Sequence, residues 1–213
     1  MTSALLPELL AQLELHQEWM DNLGSKGKQL ELNAADLHGL DLSGRELSQA
    51  SLPNANCEGS ILRGAELYAA NLYSASFLRA MLDEANLSKA GCWKACFREA
   101  SMRGIKGIRA DFTEADLRQA DLSHAYLSKV NLRQANLEQA RLHEANLRRA
   151  ILIDASLAGA DLTGARLWQA TLQGARGIET LRADWIDIGE EQQSQRLEGE
   201  AARRWLLEAA TKP

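Results

Sequence analysis

From Ala35 onward the chain repeats a small–polar–large triplet every five residues: Ala35-Asp36-Leu37, Leu40-Asp41-Leu42, Arg45-Glu46-Leu47, Ala50-Ser51-Leu52. Take the large residue as the centre, i. Centres then run from residue 37 to residue 177 without insertion or deletion, 29 repeats in all. Twenty-one are Leu, three are Phe (Phe77, Phe97, Phe112), two are Cys (Cys57, Cys92) and one is Met102. Gly107 and Gly177 are the exceptions. Position i−2 is Ala in 24 repeats, the others holding Leu40, Arg45, Ser60, Ile105 and Val130. Such uniformity makes i−2 and i the inward pair and leaves i−1, i+1 and i+2 outside.

Neither regular element accepts this period. On an α-helix five residues advance about 500°, so centres would drift round the axis by about 140° per repeat. On a straight strand five is odd, so successive centres would face opposite sides. Within one unit, however, i−2 and i share a face as in a strand. The chain must therefore bend once per repeat, and repeated bends close a coil. Stacked coils predict an all-β solenoid, with Ala where the walls crowd the interior and Leu along the axis.

Ala-Asn-Leu and Ala-Asp-Leu units in tandem, best seen at Glu84-Ala85-Asn86-Leu87-Ser88, 110–118 and 145–149, resemble the pentapeptide-repeat family over residues 35–178. The resemblance implies a right-handed quadrilateral β-helix with four repeats, hence 20 residues, per coil. The right hand agrees with the rule for parallel crossovers. About seven coils at the spacing between strands give a rod roughly 35 Å long.

End coils expose apolar side chains and unpaired backbone, so caps are expected. Residues 4–20 read as an amphipathic helix, with Leu6, Leu9, Leu10, Leu13 and Met20 on one face and Trp19 beside it. Ser3 suits its N-cap, Pro7 its first turn and Gly24 its stop. Toward the other end, Trp185-Ile186-Asp187-Ile188 is a short apolar stretch. Residues 195–210 then read as a helix with Leu197, Ala201, Trp205 and Leu206 available for packing. The expected organisation is an N-terminal helical cap over 1–29, the repeats over 30–178, and a C-terminal segment and capping helix over 179–213.

Composition fits a folded soluble chain, with 46% hydrophobic and 25% charged residues. No apolar run approaches a membrane span and no signal-peptide pattern opens the sequence, so a cytoplasmic protein is expected. Three cysteines form no disulfide framework. Cys92 and Cys96 are spaced as for a metal or redox pair, but in the repeat frame Cys92 points in and Cys96 out. His124 and His143, with Glu144, share a wall in neighbouring coils and read as solvated polar residues. No phosphate loop or nucleophile motif occurs. The expectation is therefore a protein that is not an enzyme, without catalytic residues, cofactor or metal.

Four repeats per coil put centres 20 residues apart on one wall. The wall with centres from 47 to 167 stands out. Its acids are Glu46 and Glu66, against eight bases that include Arg45. The candidate basic face comprises Lys89, Lys106, Arg109, Lys129, Arg148, Arg149 and Arg166. Tyr68, Tyr73 and Trp93 form a candidate apolar contact patch, and the Gly107 unit a candidate bulge that would re-aim Ile108. The expected function is a protein–protein interaction scaffold, with a partner that suits the basic face by being acidic; a homodimer is one form such an association could take.

Two alternatives use other surfaces or other ligands. The family contains topoisomerase-protecting DNA mimics that bind gyrase, but these need a dense negative surface. The chain's net charge of −5 resides in its terminal segments, not in the repeats. Nucleic acid or an anionic surface could use the basic wall, though the overall charge disfavours nucleic acid.

Overall fold

The structure is a computed structural model and describes residues 7–190 and 192–211. Its backbone returns beside itself every 20 residues. Parallel bridges link Asp36 to Asn56, Asn56 to Ser76 and Ser76 to Cys96, and three further columns do the same from Asp41, Glu46 and Ser51. Each bridge falls at i−1, so every repeat contributes one short extended contact and one corner.

The backbone donors of a single repeat explain its polar letters. Around Cys57, the Cys57 N–H donates to Ser76 O at 2.7 Å and Gly59 N–H to Leu78 O at 2.9 Å, both in the next coil. Asn56 N–H donates back to Ala35 O at 2.9 Å, and Ser60 N–H closes the corner on Cys57 O at 3.2 Å. Only the N–H of Glu58 is left, and Asn56 Oδ1 accepts it at 3.2 Å. The same bond from i+1 to i−1 recurs at Asp36, Asp111, Asp121 and Asp161. Asn and Asp at i−1 therefore satisfy the one donor that the coil cannot.

The corners have the φ signature of type II turns. Position i+2 takes a positive φ in every repeat from Ala34 to Gly174, and at 21 of those 29 positions the residue is not glycine. Each non-glycine residue there costs about 1 kcal/mol. The bonds between coils hold it in place.

Inside, the side chains at i−2 and i are buried from Leu47 to Leu167, whereas toward the ends of the stack Arg45, at an inward position of the frame, is exposed and Ala35 and Ala170 are half-buried. Phe77 and Phe97, one coil apart, stack with centroids 4.8 Å apart and planes 2° from parallel, the spacing of neighbouring strands. At Gly107 no bulge forms: Gly107 N–H meets Tyr126 O at 2.9 Å and Ala110 N–H meets Gly107 O at 3.1 Å, as in other repeats. The missing side chain is filled instead by Leu127, Ile105 and Phe112, which lie 2.8, 3.8 and 3.9 Å from where a Cβ would stand.

The bridges continue past residue 178, where the sequence boundary was drawn. Asp161 pairs with Arg182 and Arg166 with Asp187, each separated by 21 residues rather than 20. Gly177, a centre with φ of +78°, sits where the extra residue enters. The stretch from Trp185 is thus a rung. Strand β1 (Trp185–Asp187) lies on the coil below and pairs on its free edge, antiparallel, with β2 (Arg196–Glu198).

Helix α1 (Pro7–Asp21) covers the first coil, and residues 4–6 of the expected helix lie outside the described residues. Ser3 and Leu6 lie outside the described residues. Leu9, Leu13 and His16 are its buried residues, and Leu30 N–H donates to His16 Nδ1 at 3.1 Å. Helix α2 (Gly199–Thr211) covers the other end and begins four residues later than the sequence pattern predicts. Arg196–Glu198 is drawn into a strand by the open edge of β1. That shift puts Ala202 and Leu206, not Ala201, on the buried face.

Candidate functional site

The wall with centres from 47 to 167 carries the exposed cations the frame assigned to it. Lys89, Lys106, Arg109, Lys129, Arg149 and Arg166 are all exposed. Among the described residues none of the six forms an ion pair, whereas Arg63, Arg79, Lys94, Arg98, Arg118 and Arg141 on other walls are each paired with a carboxylate. Like charges one coil apart repel, and among the described residues no carboxylate lies within ion-pair distance of these six. At Arg118 a paired Asp116 carboxylate is held below its ordinary range, chiefly by the guanidinium hydrogen bond.

Arg148 departs from the expectation. It is 8% exposed and turned under the C-terminal segment. Its Nη2 donates to Glu190 O at 3.3 Å and lies 3.7 Å from Asp187 Oδ2. Position i+1 is outward in the repeat frame, but residues 187–190 fold over it. Its first role is to hold the cap.

The apolar trio divides. Tyr73 and Trp93, 37% and 42% exposed, touch with centroids 5.3 Å apart. Trp93 is fixed by its Nε1 donating to Glu114 at 3.2 Å and by Lys94 over its ring. Tyr68 belongs to the basic wall, where Lys89 Nζ donates to its hydroxyl at 2.5 Å and stands 5.0 Å from the ring centroid. Sequence reasoning missed Tyr126, the most exposed aromatic residue at 54%, and did not see Ile108, 43% exposed, as its neighbour. Both lie on the basic wall, and Lys106 and Tyr126 are bridge partners. Tyr126 is the one aromatic residue at i−1, so the frame itself could have revealed it. The wall therefore joins exposed cations with an apolar centre, as binding surfaces do.

Other candidates resolve as geometry. Glu144 lies 3.3 Å from His124 Nδ1 and 3.5 Å from His143 Nε2. Cys57 and Cys92 are buried, and burial pushes the Cys57 thiol up to about 12. Cys96 is half-buried at i−1. Among the described residues no helix is long and apolar enough to cross a membrane.

Tandem five-residue units with two inward and three outward side chains define a class, the repeat protein whose chemistry lies on its outer faces. The chain belongs to the pentapeptide repeat family: the family model "Pentapeptide repeats (8 copies)" matches residues 31–67, 46–79, 65–104, 108–143 and 140–176. Among solved structures, a pentapeptide repeat protein from the Arabidopsis thaliana thylakoid lumen is 29% identical, covering 43% of this chain and 64% of its own, with a TM-score of 0.42. This chain thus spans less than two thirds of that relative's length. QnrB1, a plasmid-mediated fluoroquinolone resistance protein, is 25% identical over 70% of this chain and 77% of its own, with a TM-score of 0.49. HetL, involved in heterocyst differentiation regulation in Nostoc sp. strain PCC 7120, is 27% identical over 87% and 98%, with a TM-score of 0.25. No curated protein matches the chain. Membership therefore rests on the repeats.

Proposed function

We propose that this protein is a non-enzymatic interaction scaffold: a right-handed quadrilateral β-helix, acting in the cytoplasm, that docks an acidic protein partner on its basic wall. The observation that carries the reading is the set of six exposed cations, none with an ion-pair partner among the described residues, around Ile108 and Tyr126. The column is long and flat, and its charge is left for something outside the molecule. Opposite charge steers encounter, and aromatic and apolar groups at the centre supply affinity. The Tyr73–Trp93 pair offers a second, smaller contact on a neighbouring wall.

Crosslinked pull-downs from native lysate test this with wild type and the Lys89→Glu, Arg109→Glu, Lys129→Glu, Arg149→Glu variant side by side. One partner lost selectively from the variant is the expected result. Identical partner lists from the two baits would overturn the assignment of the wall.

A further inference from the structure

At the C-terminal end of the basic wall the flat surface becomes concave. A cleft of about 480 Å³ opens between the wall and the segment after β1, lined by Lys129, Arg148, Arg149, Trp168, Glu190 and Gln193 among others. Lys129 and Arg149 occupy i+2 in consecutive coils and are exposed. Arg149 is pre-ordered: its guanidinium lies 4.7 Å from the Trp168 ring centroid, and its Nε donates to Gln169 Oε1 at 3.0 Å. Its terminal nitrogens remain available for a ligand.

Arg148 forms the inner lining, and its bonding is incomplete. The Nε has no hydrogen-bond partner among the described residues. Asp187, its counter-charge, is already engaged: Asp187 Oδ1 accepts Gly189 N–H and Gln195 N–H, each at 2.9 Å. A guanidinium has five donors in a fork that matches a carboxylate. A buried one left short of acceptors gains from any carboxylate that reaches it. Glu190 on the same cleft selects among anions. A phosphate dianion meets its charge at full cost. A peptide brings carboxylates for the cations and backbone N–H groups for Glu190 and the glutamine side chains.

We propose that this cleft is a subsite for an acidic peptide segment, with a side-chain carboxylate between Lys129, Arg148 and Arg149 and the peptide backbone passing Trp168. The inference rests on the docking reading above and specifies the feature of the partner that the wall's end grips.

The test is calorimetric titration of the full chain with an octaglutamate peptide and, separately, with inorganic phosphate at low ionic strength. The peptide is expected to bind, and Trp168→Ala with Arg149→Gln to weaken it by about tenfold. Lys129→Glu, at an exposed turn, is a second variant should the first fold poorly, and it is expected to weaken binding similarly. Reversing Lys89 and Arg109, on the wall but outside the cleft, is expected to have a smaller effect, about threefold, through the long-range field alone. Equal loss from both sets would overturn the cleft and leave the wall reading intact. Absence of peptide binding would overturn the cleft as well, while the pull-down still decides the wall. Phosphate binding as tightly as the peptide would overturn the peptide assignment.

Discussion

Residue 107 is a centre without a side chain, and filling it is expected to do harm. Leu is the commonest centre in this chain, yet a Cβ at Gly107 would come within 2.8 Å of Leu127. Gly107→Leu should therefore lower stability by about 1–3 kcal/mol through overpacking. Denaturant melts measure this, and unchanged stability would mean that the space is unfilled. The sequence frame marked Gly107 as a centre without a side chain. It could not show Leu127, which arrives from the next coil. His16 makes a second case. It is fully buried under α1, and burial holds its imidazole below the ordinary value of 6.5. The unfolded chain then takes up a proton that the folded chain refuses, so this contribution to stability is complete above about pH 6.5 and is lost as pH falls below it. An NMR titration of the histidines should find His16 titrating below 6.5; an ordinary or raised value would show that the helix does not seal it. The apolar pattern of residues 4–20 left His16 off the buried face because histidine scores as polar, whereas its neutral ring accepts the Leu30 N–H.

At the scale of elements, the C-terminal cap is an assembly of strand, helix and one ion pair. Strand β2 covers the edge of β1, and α2 buries Ala202 and Leu206. Asp187, 5% exposed, binds the returning chain and faces Arg148. Asp187→Ala should cost about 3 kcal/mol because it strands a buried guanidinium. A loss under about 1 kcal/mol in a thermal or denaturant melt would contradict that role. Deleting 189–213 should expose the last rung and promote aggregation; a truncated chain as soluble and heat-stable as the parent would show that the cap is dispensable. The repeat body and both helices were legible because period five and helical spacing are strong, local signals. The start of α2 was not, because Arg196-Leu197-Glu198 suits a helix equally well. What decides it is an open strand edge formed by residues 185–187. The one-residue slip after Gly177 was equally hidden, since repeat lettering fades there.

The whole molecule carries a net charge of −5 and yet presents a wall of exposed, unpaired cations. That contrast is the basis of the docking reading. The wall was legible once four repeats per coil assigned each outward residue to a face. Arg148 was misplaced because the frame gives direction but not what folds over a side chain: residues 187–190 cover it. Site-specific photocrosslinking tests the docking claim most directly. A benzophenone side chain would replace Ile108 on the basic wall and, separately, Gln119 on a wall two repeats away along the coil. The account predicts a partner adduct from position 108, weakened by salt, and little from position 119. Equal adducts from both positions, or an adduct from position 119 alone, would contradict it.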